Sequence, residues 1–378
     1  MIIDLDANST YLPSEEIQEV MKLAWRRLGN PSSLHRGGQR ARAEIERARE
    51  AVRYLVGAEK GDLVVFTSGA TESNNMVLRA PWRSLAVSAT EHPCVLGPAR
   101  RLASAGAELR IIPVNEDGEV KTSHLEEALS RHTDFISIMA ANNETGAIND
   151  IHELARVARS ACPGAHIHTD AAQIVGKESI SFAALGVDSM TISGHKFGAL
   201  SGVGALIIRE GIQLEPLLVG GVQESKLRGG TENVMGIISL GVAAQAVRET
   251  LSVRASTMSE LRNCFEDSLL TTLAGVEINA KGAQRLPNTS NIFLAGSRGD
   301  DLVIALDREG ILVSSGAACS SGKPEPSHVL MAMGQSEERV RSTIRVSFRA
   351  DQSKEIVPRA VSAIVGAVSR MRSATSEN

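Results

Sequence analysis

The stretch Ser189-Met190-Thr191-Ile192-Ser193-Gly194-His195-Lys196-Phe197-Gly198 runs from a short strand-like segment into a glycine-flanked lysine. A lysine at the end of a buried strand is unusual, because desolvation penalises its charge. A lowered pKa is what a Schiff-base lysine needs in order to react with an aldehyde. A solvated surface lysine accounts for the same residues, and His195 alone reads as a hydrogen-bonded core histidine. The surrounding sequence decides between them.

Working outward, the candidate strands Leu63–Phe66, Ser84–Val87, Leu109–Val114, Phe135–Met139 and His166–Thr169 precede this stretch, and Gly204–Arg209 follows it. Most are continuous apolar runs, as expected of strands covered on both faces. Helical segments such as Ser123–Arg131 and His152–Ser160 fall between them. Upstream, Ala41, Ile45, Ala48, Val52 and Leu55 mark one helical face. This order predicts an α/β architecture, a large domain with a mainly parallel seven-stranded sheet. Near residue 240 the character changes. A long helix, roughly Gly241 to Leu273, leads to a second region. It holds Asn288–Leu294, Asp301–Arg308, Ile344–Phe348 and a closing helix built on Ile356, Val357, Ala360, Ile364, Val368 and Met371. The expected division is a large domain over 15–250 and a smaller α+β domain from 1–14 and 251–378. The last six residues are expected to fray.

Composition limits the function. The chain has 378 residues, 43% hydrophobic, with a net charge of -4 and 3% aromatics. No basic block or aromatic platform supports nucleic-acid binding. The apolar segments Val203–Ile208 and Met235–Val247 read as too short or too interrupted to span a bilayer. The N-terminus has neither a basic flank nor a long apolar stretch, so no signal peptide is expected. Cysteines 94, 162, 264 and 319 show neither CxxC pairing nor metal-ligand spacing, which predicts a reducing, cytoplasmic setting and no bound metal.

Polar clusters sit where candidate strands end, the place open α/β sheets reserve for ligands. Thr67-Ser68-Gly69-Ala70-Thr71-Glu72-Ser73-Asn74-Asn75 could cradle a phosphate on free backbone N–H groups, or merely cap a helix. Asp170, in Asp170-Ala171-Ala172-Gln173, could hold a cationic ring nitrogen or serve as a cap. A phosphate cradle, an aspartate and a lysine on successive strand ends are the parts that a pyridoxal phosphate site requires. Ser314-Ser315-Gly316-Ala317-Ala318-Cys319-Ser320-Ser321-Gly322 adds a thiol among small residues, where no bulky side chain screens it.

With these parts in hand, the chain resembles the cysteine desulfurases, NifS/IscS-like pyridoxal-phosphate enzymes of the class-V aminotransferase type. The likeness rests on Leu5-Asp6-Ala7-Asn8, Asn30-Pro31-Ser32-Ser33-Leu34-His35, the run from Thr67, Glu91-His92-Pro93 and Asn142-Asn143-Glu144-Thr145-Gly146. It continues through His168-Thr169-Asp170-Ala171-Ala172-Gln173, Ser193-Gly194-His195-Lys196, Arg228-Gly229-Gly230-Thr231-Glu232-Asn233, the Cys319 loop and Glu325-Pro326-Ser327-His328. The small residues before Cys319 place it in the subgroup with the longer, mobile catalytic loop.

The resemblance implies the fold type I of pyridoxal-phosphate enzymes, and a role for each matching residue. Lys196 would hold the cofactor aldehyde, Asp170 would pair with the ring nitrogen, and Gln173 would bond the ring hydroxyl. His92 would stack on the ring. Ala70, Thr71, Ser193 and His195 would bind the phosphate, with Thr231 reaching it from the second subunit of a homodimer. Asn143 and Arg345 would take the carboxylate of L-cysteine. Cys319 would accept the sulfur as a persulfide and pass it to an acceptor protein, iron–sulfur cluster assembly being one destination. An aminotransferase or selenocysteine lyase of the same fold would keep Lys196 and Asp170, and a non-catalytic sulfur relay would need only the thiol. Cys94 stands where these enzymes usually carry alanine; it reads as a buried apolar filler, or else as a second thiol near the site.

Overall fold

The structure is a computed structural model that describes residues 2–25, 29–315, 317–318 and 325–376. Its central sheet contains β1 (Leu63–Thr67), β2 (Ser84–Ser88), β3 (Glu108–Ile112), β4 (Phe135–Ser137), β5 (His166–Asp170), β6 (Ser189–Ser193) and β7 (Gly204–Ile208). The seven strands lie in the order β1-β7-β6-β5-β4-β2-β3. All pairings are parallel except those of β7, which runs antiparallel to both β1 and β6. The apolar runs behave as strands covered twice: Val64 and Phe66 enter one core cluster and Val65 the other. Two expected strands stop two residues early. Leu109–Val114 ends at Ile112, and Phe135–Met139 ends at Ser137, after which the chain turns into the site.

Gly204, opposite both Thr67 and Ser193, has no room for a side chain. A Cβ there would lie 2.7 Å from Gly69 Cα and from Ile192 O. That close approach brings the ends of β1 and β6 together, and with them Gly69 and Ser193.

The connecting helices used below are α1 (Arg36–Leu55), α2 (Ala70–Val77), α3 (Pro93–Ser104) and α4 (Val234–Thr272). Helix α4 begins seven residues before the expected Gly241, because Asn233 caps it by accepting the Gly236 N–H. Gly241 is tolerated inside it because α1 packs there, with Ala48 Cα 2.6 Å from where a Cβ would stand. By length and composition α4 could cross a membrane, contrary to the sequence expectation. Its first half instead places Ile237, Leu240 and Val247 in the main core, and its second half places Leu261, Phe265 and Leu269 in another. Each such side chain contributes about 1.5–3 kcal/mol on burial, so these faces serve folding.

That second core is built around a four-stranded antiparallel sheet of Ser314–Ser315, Thr343–Ser347, Thr289–Leu294 and Val276–Ile278, in that order. Ile3–Asp4 pairs with Ile311–Leu312 beside it. The closing helix, Ile356–Ser376, places Val357, Ala360, Ile364 and Val368 in this core. It runs through most of the tail that was expected to fray. Arg372 Nε donates to Ala295 O at 2.8 Å and holds its last turns.

Candidate active site

The polar strand ends converge on a cavity of about 530 Å³. Its lining includes Ala70, Thr71, His92, Asn143, Asp170, Gln173, Ser193, His195, Lys196 and Arg345. Two of the sequence-derived positions are not among them. Thr231 is exposed outside the cavity, and Cys319 lies outside the described residues.

The β1–α2 turn forms one end. Gly69 adopts φ 149° and ψ -179°, a conformation open essentially to glycine, and no side chain caps the helix that follows. Ala70 and Thr71 therefore present first-turn N–H groups beside Ser193 and His195. Burial, and then the nearby Lys196, push His195 down to about 4, so its imidazole is neutral at pH 7. Its Nδ1 lies 3.2 Å from the Thr10 hydroxyl.

At the end of β5, the buried Asp170 is held from both sides. One oxygen accepts the Ala172 N–H at 2.9 Å, and the other accepts Asn74 Nδ2 at 2.7 Å. Asn74 Oδ1 in turn faces His168 Nε2 at 3.0 Å. Burial drives His168 down to about 3, so the ring is neutral and supplies a fixed hydrogen bond rather than a charge. Asn74 was visible in the sequence only as part of a helix start. Its role in orienting Asp170 depends on a contact 96 residues away.

Lys196 follows β6 on a tight turn, Gly194–Lys196. Its ammonium donates to the carbonyls of Asn8 and Ser9, at 2.8 and 2.9 Å. Burial, then Arg345, push it down to about 8, against the opposing pull of Asp6 and Asp170. Lys196 is thus half-buried, neither fully enclosed nor a freely solvated surface lysine.

His92 is the N-cap of α3. Its Nδ1 accepts the Cys94 N–H at 3.2 Å, which leaves the ring proton to Nε2. Cys94 is buried, as expected of a filler, but its sulfur also lines the cavity. Sγ lies 2.9 Å from His92 Nδ1 and 3.0 Å from Asn74 Nδ2. Burial, then Asp170, push this thiol up to about 12, so it stays protonated and unreactive. Iodoacetamide at pH 8 is expected to alkylate the exposed Cys264 and spare Cys94, as read by peptide mass spectrometry. Glu91 directly precedes His92. It is fully enclosed and pushed up to about 8 by burial and then by Asp170.

Arg345 closes the other end. Nη1 donates to Asn143 O at 3.0 Å, while Nη2 meets Asp6 at 2.6 Å, Ser9 at 2.8 Å and Ser314 at 2.9 Å. Nε is buried and has no partner among the described residues. The described residues that flank Cys319 in sequence are anchored beside this cavity. Ser314 donates to Asp6 on one side. On the other, the Ser327 hydroxyl donates to Glu144, and His328 Nε2 lies 2.9 Å from Glu91 O.

Residues 3–359 match the family model for class-V aminotransferases. The chain belongs to that family. Among its relatives, the cysteine desulfurase IscS of Dictyoglomus turgidum is 40% identical over 359 residues, covering 93% of this chain and 90% of that protein. A solved NifS-like protein superposes with a TM-score of 0.91 at 33% identity, covering 98% of this chain and 100% of the other. Another solved structure, SspA in complex with cysteine, gives a TM-score of 0.80 at 30% identity, over 92% and 99% of the two chains.

The residues present fit pyridoxal phosphate. A buried carboxylate, an amine whose pKa is already lowered, a neutral imidazole and an uncapped helix start beside Ser193 all face one cavity. Together they match a protonated ring nitrogen, an aldehyde, a ring face and a phosphate.

Proposed function

We propose that this class-V aminotransferase is a pyridoxal-phosphate-dependent cysteine desulfurase. It converts L-cysteine to L-alanine and moves the sulfur to Cys319 as a persulfide. The observation that carries this reading is Lys196, half-buried and with its pKa pushed down to about 8, in one cavity with Asp170 and Arg345. The two ends of the Cys319 segment are anchored beside that cavity.

When bound, pyridoxal phosphate supplies an electron sink for the substrate's Cα and Cβ. The protein's own groups do the rest. Asp170, fixed by Asn74, would hold the proton on the ring nitrogen. Arg345 and Asn143 orient the carboxylate of L-cysteine. Lys196, once released to its amine form, takes the Cα proton. The Cys319 thiolate attacks the substrate sulfur, so a C–S bond breaks as an S–S bond forms, and the electron pair from the broken bond remains with the alanine skeleton. Cys319 directly follows Ala317–Ala318, which pairs with Glu325–Pro326. SspA, a structural relative, is described in complex with cysteine, which supports the substrate assignment.

A homodimer completes the proposal. Thr231 is exposed outside the cavity of its own chain, as suits a phosphate ligand supplied across an interface. The exposed apolar Trp25 and Leu34 offer surface for such a contact. The free cysteines suit a reducing cytoplasm, and a protein acceptor would collect the persulfide.

The test is to incubate the yellow holoenzyme with L-cysteine and a thiol reductant. Alanine and sulfide are expected in equal amounts. Visible colour without alanine would point to an aminotransferase, and absence of colour to a relay protein.

A further inference from the structure

Among the described residues, Lys177 is the largest fully buried charge-bearing side chain that the proposed reaction does not use. It is 1% exposed, and both of its acceptors are uncharged amide oxygens: Asn8 Oδ1 and Gln173 Oε1, each at 2.7 Å. Burial, then Lys196 and Arg345, push its pKa well down. A buried amine among like charges is a costly way to fill space, so its two hydrogen bonds are what it supplies.

Those bonds settle two amide orientations. A lysine nitrogen presents hydrogens, so the atoms facing it are oxygens. Gln173 must then turn its NH2 group away from Lys177. One of its N–H bonds goes to Asn8 O at 3.1 Å, and the other is left for the cavity that Gln173 lines. Asn8 is set in the same way. Its Oδ1 faces Lys177 and Asn288, and its Nδ2 donates to Asn143 O at 3.1 Å and Thr289 at 2.9 Å. The carbonyl of that same Asn8 receives Lys196 Nζ. The turn bearing Lys177 is itself fixed: Gly176, at φ 86°, leaves no space between itself and Phe197, with a Cβ position 2.4 Å from Phe197 Cβ.

We propose that Lys177 is a positioning residue, which holds Gln173 with an N–H donor rather than an oxygen toward the cofactor's ring oxygen. The proposal rests on the reading of this cavity as a pyridoxal phosphate site. Without Lys177 only the bond to Asn8 O holds the Gln173 amide in this orientation, and a flipped amide turns its oxygen toward the ring oxygen.

The experiment follows the visible absorption of the bound cofactor against pH. A donor to the ring oxygen stabilises its anion most when the neighbouring nitrogen has lost its proton, so losing the donor raises the titration midpoint. Lys177→Met is expected to raise it by about one pH unit while the protein still binds cofactor stoichiometrically. Lys177→Gln keeps N–H donors on a shorter arm and is expected to recover at least half of that shift. In a Gln173→Ala background, neither substitution is expected to move the midpoint further. A loaded Lys177→Met protein that titrates like the parent overturns the proposal. If Lys177→Met does not fold, Lys177→Gln decides: a smaller upward shift that vanishes with Gln173→Ala supports it, and no shift, or one that persists there, overturns it. A parent protein that takes up no coloured cofactor sinks the reading of the cavity instead.

Discussion

Lys196→Ala is expected to lower alanine formation from L-cysteine by roughly 10⁴-fold or more, since a positioned proton-transfer group alone contributes about 10²–10⁴-fold and covalent capture of the cofactor is lost as well. The reason lies in where the amine sits. With a pKa near 8, about a tenth of Lys196 is neutral at pH 7, against well under a thousandth for an ordinary lysine. The sign follows directly. Raising the pH through 8 frees more amine, so cofactor uptake by the apoprotein should quicken about tenfold from pH 6 to 7 and level off above 8. Borohydride treatment should fix the cofactor to the peptide containing Lys196 in the parent and to no peptide in the variant. Alanine formation within tenfold of the parent rate would remove Lys196 from the reaction. Lys196→Arg is expected to fail equally, because a guanidinium stays charged over this range.

Much of this arrangement could be read from the chain, and the exceptions share a physical cause. The β5 and β6 ends were legible because a buried parallel strand shows as a continuous apolar run, and a polar residue that breaks such a run stands out. Lys196, Asp170, Ser193 and His195 all lie at those breaks, and the structure brings them to one cavity. The partners that tune them were not legible, because each is set by a contact distant in sequence. Lys177 meets Asn8 across 169 residues and Asn74 meets Asp170 across 96. Arg345 looked like a free fork for a carboxylate, yet Asp6, 339 residues away, already holds it. Cys94 shows the limit of reading residue type alone. Its size suited a core filler, while its hydrogen bonds to His92 and Asn74 come from the cap geometry of α3. Helix ends were misread at Val234 and Ser376 because side-chain caps and tertiary contacts, rather than propensity, set them.

Cys319→Ala is expected to leave the fold and the yellow colour intact and to reduce alanine and sulfide release by at least ~10³-fold, the scale on which loss of a reacting nucleophile is felt. Colour should persist because the cofactor contacts expected of Lys196, Asp170 and the β1–α2 turn involve no part of the Cys319 segment. The anchors of that segment, Ser314 on Asp6 and Ser327 on Glu144, are also untouched. The rate should fall because the substrate's C–S bond breaks only when another sulfur takes the leaving atom. Cys94 cannot substitute: burial and Asp170 hold its thiol near 12, and so protonated. Cys319→Ser should be equally inactive, since a hydroxyl forms no persulfide. Cys264→Ala, on the exposed side of α4, should keep the parent rate. A Cys319→Ala protein that still makes alanine and sulfide at the parent rate would assign the sulfur acceptance to another group. One that loses its colour as well would show that the segment is part of the cofactor site.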